Sequence, residues 1–217
     1  MVTLKVIKPK LTSYQKNFLY NDSRFTITEA STKVGKTFSH IWWIYERAHA
    51  DWNKENYNHW WVAPVYAQAL IAFKRLRVKL GRTGIYKINS TALTITCLNG
   101  AVIHFKSADN PDNLFGEDVY SVVFDEAPRA KVESFFALRS TITATGGMMK
   151  LIGNFGGSAN WMHQLKEKAK TDPQYAYFKV TAWDAVKEGI LEESEILQAQ
   201  KDLPSKVFKQ LYLAEEQ

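Results

Sequence analysis

Thr26-Ile-Thr-Glu-Ala-Ser-Thr-Lys-Val-Gly-Lys-Thr37 is the stretch on which the fold turns. Its first half, Phe25–Ala30, has the apolar character of a buried strand. After Gly35, residues Ile41, Ile44, Tyr45 and Ala48 recur at helical spacing. Between strand and helix, Ala30-Ser-Thr-Lys-Val-Gly-Lys-Thr37 has the layout G-x-x-x-x-G-K-[ST] of a Walker A loop, with Ala30 in place of the first glycine. The order follows from electrostatics: amides of the loop and of the helix start converge on an anion, and the helix dipole adds to their field. In such a loop the backbone of Ser31, Thr32, Lys33, Val34 and Gly35 wraps the phosphates. Gly35 allows the close approach, Lys36 contacts the β- and γ-phosphates, and the Thr37 hydroxyl ligates Mg²⁺. Lys33 adds a second cation, which lies either against the γ-phosphate as a built-in finger or in solvent.

About ninety residues on stands Tyr120-Ser-Val-Val-Phe-Asp-Glu-Ala127, an apolar run that ends in two acids. This fits Walker B, with Asp125 in the Mg²⁺ shell and Glu126 polarising the attacking water. Taken alone, the pair could equally be acids placed near a helix N-terminus. A further apolar run, Lys150-Leu-Ile-Gly-Asn-Phe-Gly-Gly157, ends at Asn154. Ligands of a doubly wound sheet bind at the carboxyl ends of its strands, so Asn154 is expected near the γ-phosphate, or else in a simple turn.

The remaining chain alternates strand-like and helical patterns. Strands are expected at 59–63, 85–88, 93–98, 102–106, 119–125, 149–153 and 175–181. Helices are expected at 67–80, 131–138, 159–170, 192–201 and 205–215. Asn99-Gly100 reads as a two-residue hairpin turn. This alternation predicts an α/β layered fold with a mainly parallel central sheet, helices on both faces and a small β-hairpin insertion.

Composition bounds the function without naming it. The 217 residues suffice for one domain with a short appendage, and 46% hydrophobic with 23% charged residues is a globular balance. No apolar run is long enough for a membrane span and no signal peptide is visible, so the chain reads as intracellular. The single cysteine, Cys97, excludes a disulfide framework, and the five histidines show no metal spacing. The net charge of +6 is uneven: residues 1–110 hold sixteen of the 28 Lys and Arg but six of the 22 Asp and Glu. Phe73-Lys-Arg-Leu-Arg-Val-Lys-Leu-Gly-Arg82 is the densest basic run, open to phosphate contact with DNA or a neighbour's nucleotide, or to plain solvation. Trp42-Trp43 and Trp60-Trp61 could stack on bases, but adjacent aromatics point apart, which favours core packing.

Together these residues resemble the ATPase domain of the large terminase subunit, the DNA-packaging motor of tailed bacteriophages. Leu11-Thr-Ser-Tyr-Gln15 is similar to that family's Q motif, which assigns Tyr14 and Gln15 to the adenine. Lys33 stands where the family's variant Walker A loop often carries a basic residue. Asn113-Leu-Phe-Gly-Glu-Asp118 resembles the lead-in to Walker B, although Phe115 replaces the usual arginine. Leu151-Ile-Gly-Asn-Phe-Gly156 resembles the coupling motif, from which only Asn154 is transferable as a sensor of phosphate state.

The resemblance implies a RecA-like (ASCE) P-loop NTPase fold over residues 1–203 and the start of a helical linker over 204–217. The nuclease domain that follows in the family is absent, and the two acidic pairs at 109/112 and 117/118 read as solvated turns, so DNA cleavage is not expected. It implies ATP and Mg²⁺ as cofactors and double-stranded DNA, a portal protein and a small terminase subunit as partners. It further implies a homo-oligomeric ring and action in the host cytoplasm, with no membrane. In such rings a neighbour's arginine can complete the site, and Arg82, Arg129 and Arg139 are candidates. Two other readings stay open: a helicase-like P-loop ATPase, and a nucleotide-regulated DNA-binding or assembly module with little turnover.

Overall fold

The computed structural model describes residues 9–50, 57–81, 84–157 and 159–215. Eight strands form one sheet in the order β3-β4-β5-β2-β6-β7-β1-β8. They are β1 (Phe25–Ala30), β2 (Asn58–Ala63), β3 (Lys87–Asn89), β4 (Thr94–Thr96), β5 (Val102–Ser107), β6 (Val119–Asp125), β7 (Met148–Gly153) and β8 (Tyr175–Val180). From β5 to β8 every neighbouring pair is parallel. Parallel strands are buried on both faces, and the apolar residues that dominate β2, β6 and β7 make them legible, while β1 is read from Phe25, Ile27 and its two β-branched threonines.

The period of two along each strand splits the core into two layers. Trp61, Ala63, Val123 and Ile152 face α1 (Ser13–Leu19), α2 (Lys36–Ala50) and α3 (Tyr66–Leu80). Trp60, Val62, Val122, Phe124 and Leu151 face α4 (Val132–Thr141) and α5 (Met162–Lys168). Trp60 and Trp61 are therefore core residues of opposite faces, both fully buried, and Trp42 and Trp43 are buried in the layer of Trp61. Cys97 is buried too, and desolvation pushes its thiol up to about 12. No helix among the described residues is long and apolar enough to cross a membrane.

Two expectations need correction. The expected small hairpin is the antiparallel meander of β3, β4 and β5, which forms the edge of the main sheet because β5 pairs with β2 in parallel. Its turn is not centred on Asn99-Gly100, because Asn99 keeps a negative φ and only Gly100 is left-handed, at +83°. The Gly100 amide donates to Cys97 O, so Leu98 and Asn99 are central and Gly100 forms the bulge that rejoins the ladder. The helix expected at 159–170 is confined to Met162–Lys168. Two short helices were missed, α1 and α6 (Ala182–Lys187), each opened by a threonine capping box.

The remaining helices, α7 (Glu193–Asp202) and α8 (Ser205–Leu213), pack with α6 around Ala182, Ile196 and Phe208. This small third core brings α8 back against the loop that follows β1: the Thr32 amide donates to Leu211 O at 2.9 Å.

Candidate nucleotide site

The carboxyl ends of β1 and β6 open on a polar cavity of about 320 Å³, lined by Thr32, Lys33, Gly35, Lys36, Thr37, Phe38, Arg75 and Glu126. Ala30 is the last residue of β1 and is extended and fully buried, so the position asks for no glycine. The left-handed turn falls instead on Lys33 (φ 61°) and Gly35 (φ 81°). At Gly35 the left-handed φ disfavours a side chain, and a Cβ there would lie 2.6 Å from Gln15 Nε2, so the Gln15 side chain would have to move.

α1 holds this loop from behind. The Tyr14 hydroxyl donates to Val34 O at 2.9 Å and Gln15 Nε2 donates to the same carbonyl at 3.4 Å. Gln15 Oε1 accepts from the Thr12 amide at 3.1 Å, closing the capping box. Both ends of the Gln15 amide are thus engaged with protein, and neither Tyr14 nor Gln15 lines the phosphate cavity. His40, one turn into α2, donates from Nδ1 to Lys36 O at 2.7 Å, and burial pushes its pKa down to about 3, so it is neutral packing.

Opposite the loop, Asp125 ends β6. The Thr37 hydroxyl donates to its carboxylate at 3.3 and 3.4 Å. Burial, followed by the charge of Glu126, raises the Asp125 pKa to about 7, while Lys36 and Thr37 pull it back. A hard-oxygen pair of one carboxylate and one hydroxyl beside an anion cavity fits Mg²⁺, which keeps few protein ligands and fills the rest with water and phosphate oxygens. No cluster of three His, Cys, Asp or Glu that could hold a metal exists among the described residues.

Glu126 sits in the left-handed region (φ 50°, ψ 36°), an unfavourable place for a glutamate. The turn throws its carboxylate back toward the loop, where Lys36 Nζ lies 3.3 Å away. Arg129 Nε approaches the other oxygen at 3.8 Å. The turn is also wedged from the side: a Cβ on Gly153 would overlap the Pro128 ring, with Cγ at 2.8 Å, and would lie 3.4 Å from Glu126 Cα. Gly153→Ala is therefore expected to cost about 1–3 kcal/mol by overpacking and to lower turnover by displacing Glu126. Thermal unfolding beside kcat checks this; an unshifted Tm with normal kcat would contradict it.

Asn154 stands just past the carboxyl end of its strand. It follows β7, which lies between β1 and β6, but it does not line the cavity. Its Nδ2 donates to Gln210 O, one of the last-turn carbonyls of α8 that lack a partner within the helix. Among the candidate fingers, Arg82 lies outside the described residues. Arg129 stands beside its own Glu126. Arg139 is on α4, donating to Thr143 Oγ1 at 3.1 Å and lying 5.3 Å from the Phe25 ring at the start of β1, the end remote from the loop. Asp109, Glu117 and Asp118 lie in loops as expected, whereas Asp112 sits in a short 3₁₀ helix over Pro111–Leu114, and Glu117 is paired with Lys106 at 2.8 Å. The residue the sequence did not place in the site is Arg75, a cavity-lining side chain from α3.

No protein-family model matches the sequence, and no curated protein matches it. Solved structures do match. The large terminase ATPase domain of Thermus phage P74-26 is 21% identical, with a TM-score of 0.80 over 95% of this chain and 94% of that one. The large terminase of bacteriophage HK97 superposes with a TM-score of 0.81 at 16% identity, over 96% of this chain and 51% of the other. The large terminase of a thermophilic bacteriophage, solved in complex with ATP-gamma-S, gives 0.74 at 15% identity, over 95% and 53%. This chain spans nearly the whole of the P74-26 domain and about half of the two longer proteins. Its fold, a mainly parallel sheet with the 31–37 loop after β1 and Asp125 ending β6 two strands away, is that of the ATPase domains of phage large terminases.

Proposed function

We propose that this chain is an ATP-hydrolysing motor domain that powers translocation of double-stranded DNA into a viral procapsid. The observation that carries the reading is the convergence of Lys36, Thr37 and Glu126 on one polar cavity, backed by buried Asp125, within the terminase ATPase fold. In hydrolysis, Lys36 exchanges its ion pair with Glu126 for the β- and γ-phosphates, which frees the carboxylate to orient a water for in-line attack. Amides from Lys33 to Thr37 hold the phosphate chain. Thr37 and Asp125 would hold Mg²⁺, which neutralises charge that develops on the phosphate oxygens. On this reading the adenine end lies beside α1, whose Tyr14 and Gln15 brace the loop through the Val34 carbonyl.

On this reading Asn154 reports the state of the site to α8 and on to whatever follows it. The partners are portal protein, small terminase subunit and further copies in a ring, in the host cytoplasm. Of the two candidates among the described residues, Arg139 is the one set away from its own cavity, and on this reading it serves a neighbour.

The test is Mg²⁺-dependent ATP hydrolysis against protein concentration. Lys36→Ala is expected to lower kcat/KM by at least about 10²-fold, because it removes the main cation on the transferring phosphate. Specific activity that rises with concentration supports a residue supplied in trans. Wild-type turnover unaffected by Lys36→Ala would overturn the assignment of the site.

A further inference from the structure

We propose that Arg75 is a phosphate-contacting residue of its own subunit's nucleotide site, supplying a third cation beside Lys33 and Lys36. The inference rests on the reading that the cavity takes ATP. Two cavities meet at the first turn of α2: the polar one of about 320 Å³ and an apolar one of about 380 Å³ that includes Ile41, Trp42, Leu76 and Val78. Phe38 and Arg75 line both. α3 carries four cations, Lys74, Arg75, Arg77 and Lys79, and no acid. Of these only Arg75 reaches the wall of the phosphate cavity. Lys74 and Lys79 line the apolar cavity, and Lys74 and Arg77 line a third one beside Gly81 and Ile88.

The charge state of the cavity gives Arg75 its work. Lys36 is held by Glu126 at 3.3 Å. Lys33 stands at a boundary, since it also lines a cavity with Glu195 and Asp202 of α7. Arg75 has neither a hydrogen bond nor an ion pair among the described residues, so no contact must break before it meets a ligand. Arg75 is exposed and borders both the apolar and the polar wall, a position from which a long cation can lay its stem on apolar surface and keep its guanidinium in water. A planar guanidinium with five donors matches two phosphate oxygens at once, which an ammonium cannot do.

The experiment is a titration of the full 217-residue chain with fluorescent ATP-gamma-S and ADP in Mg²⁺. Wild type is compared with Arg75→Ala, Arg75→Lys, Lys79→Ala and Lys36→Ala. Arg75 is exposed, so its variants fold. Arg75→Ala is expected to weaken ATP-gamma-S binding roughly 10- to 100-fold, with a smaller loss for ADP. Arg75→Lys should recover only part of it, and Lys79→Ala should stay within about twofold of wild type. Unchanged binding in Arg75→Ala while Lys36→Ala has lost affinity would overturn the inference and leave the site reading intact. Equal losses in Arg75→Ala and Lys79→Ala would reduce the effect to bulk charge and overturn it as well. A wild-type chain that binds neither nucleotide would overturn both.

Discussion

Glu126→Gln is expected to slow ATP hydrolysis by about 10²–10⁴-fold while the affinity for ATP stays within a few-fold of wild type. Two observations set the sign of each half. Among the described residues that line the cavity this carboxylate is the only acid, so it alone of them can take up or orient the proton of the attacking water. Its ion pair with Lys36 at 3.3 Å competes with phosphate for the same ammonium, so neutralising it releases Lys36 rather than weakening it. Single-turnover hydrolysis beside nucleotide titration separates the two. A variant that still hydrolyses at the wild-type rate would show that Glu126 is not the water-orienting group. It would return the chain to a module that binds nucleotide without depending on this acid.

The second large effect concerns Lys150, a fully buried cation in β7. Its Nζ donates to Thr26 Oγ1 at 2.9 Å and to Phe18 O at 3.1 Å, and lies 5.2 Å from the Trp43 ring. Burial, then the nearby charge of Arg47, lowers its pKa from 10.5 to about 7, with Asp22 opposing. The unfolded chain therefore binds the extra proton between about pH 7 and 10.5, and stability rises with pH across that window. Below about pH 7 the full penalty of the buried charge is present. Lys150→Met keeps the volume and removes the charge, at the cost of two donors worth about 1 kcal/mol each. Since a shift of this size outweighs that loss at roughly 1.4 kcal/mol per pKa unit, the variant is expected to be more stable at pH 6 by about 1–3 kcal/mol. The advantage should vanish or reverse near pH 10. Urea unfolding of both proteins at pH 6 and pH 9.5 checks it; a variant less stable by the same amount at both pH values would show that the hydrogen bonds dominate.

Much of this is legible in the sequence, and the reason is local. The strands β1 and β6 match their expected bounds because each is a run dominated by apolar and β-branched residues that ends where chemistry begins. Lys36, Thr37 and Glu126 could be placed because a phosphate loop is a contiguous device, and its acidic counterpart sits at a strand end. What escaped depends on tertiary placement. Arg75 looks like one cation among five in a basic run, and only the packing of α3 against α2 brings it to the cavity. Asn154 is assigned by its strand, but a carbonyl at the end of α8, fifty-six residues away, claims its amide. The left-handed backbone of Lys33 has no local signal at all. The capping box at Thr12 and Gln15 is present in the letters, and it explains why Gln15 faces inward toward the loop.

Among the described residues, two of the four non-glycine positions in left-handed conformation, Lys33 and Glu126, flank the same cavity. Glycine would relieve both at a gain of up to about 1 kcal/mol each, and it would remove the two side chains the cavity depends on. A library of this chain selected only for heat resistance should therefore accumulate glycine at positions 33 and 126. Its hardiest survivors would be well-folded proteins stripped of their chemistry, so any directed evolution of this domain has to screen turnover alongside melting.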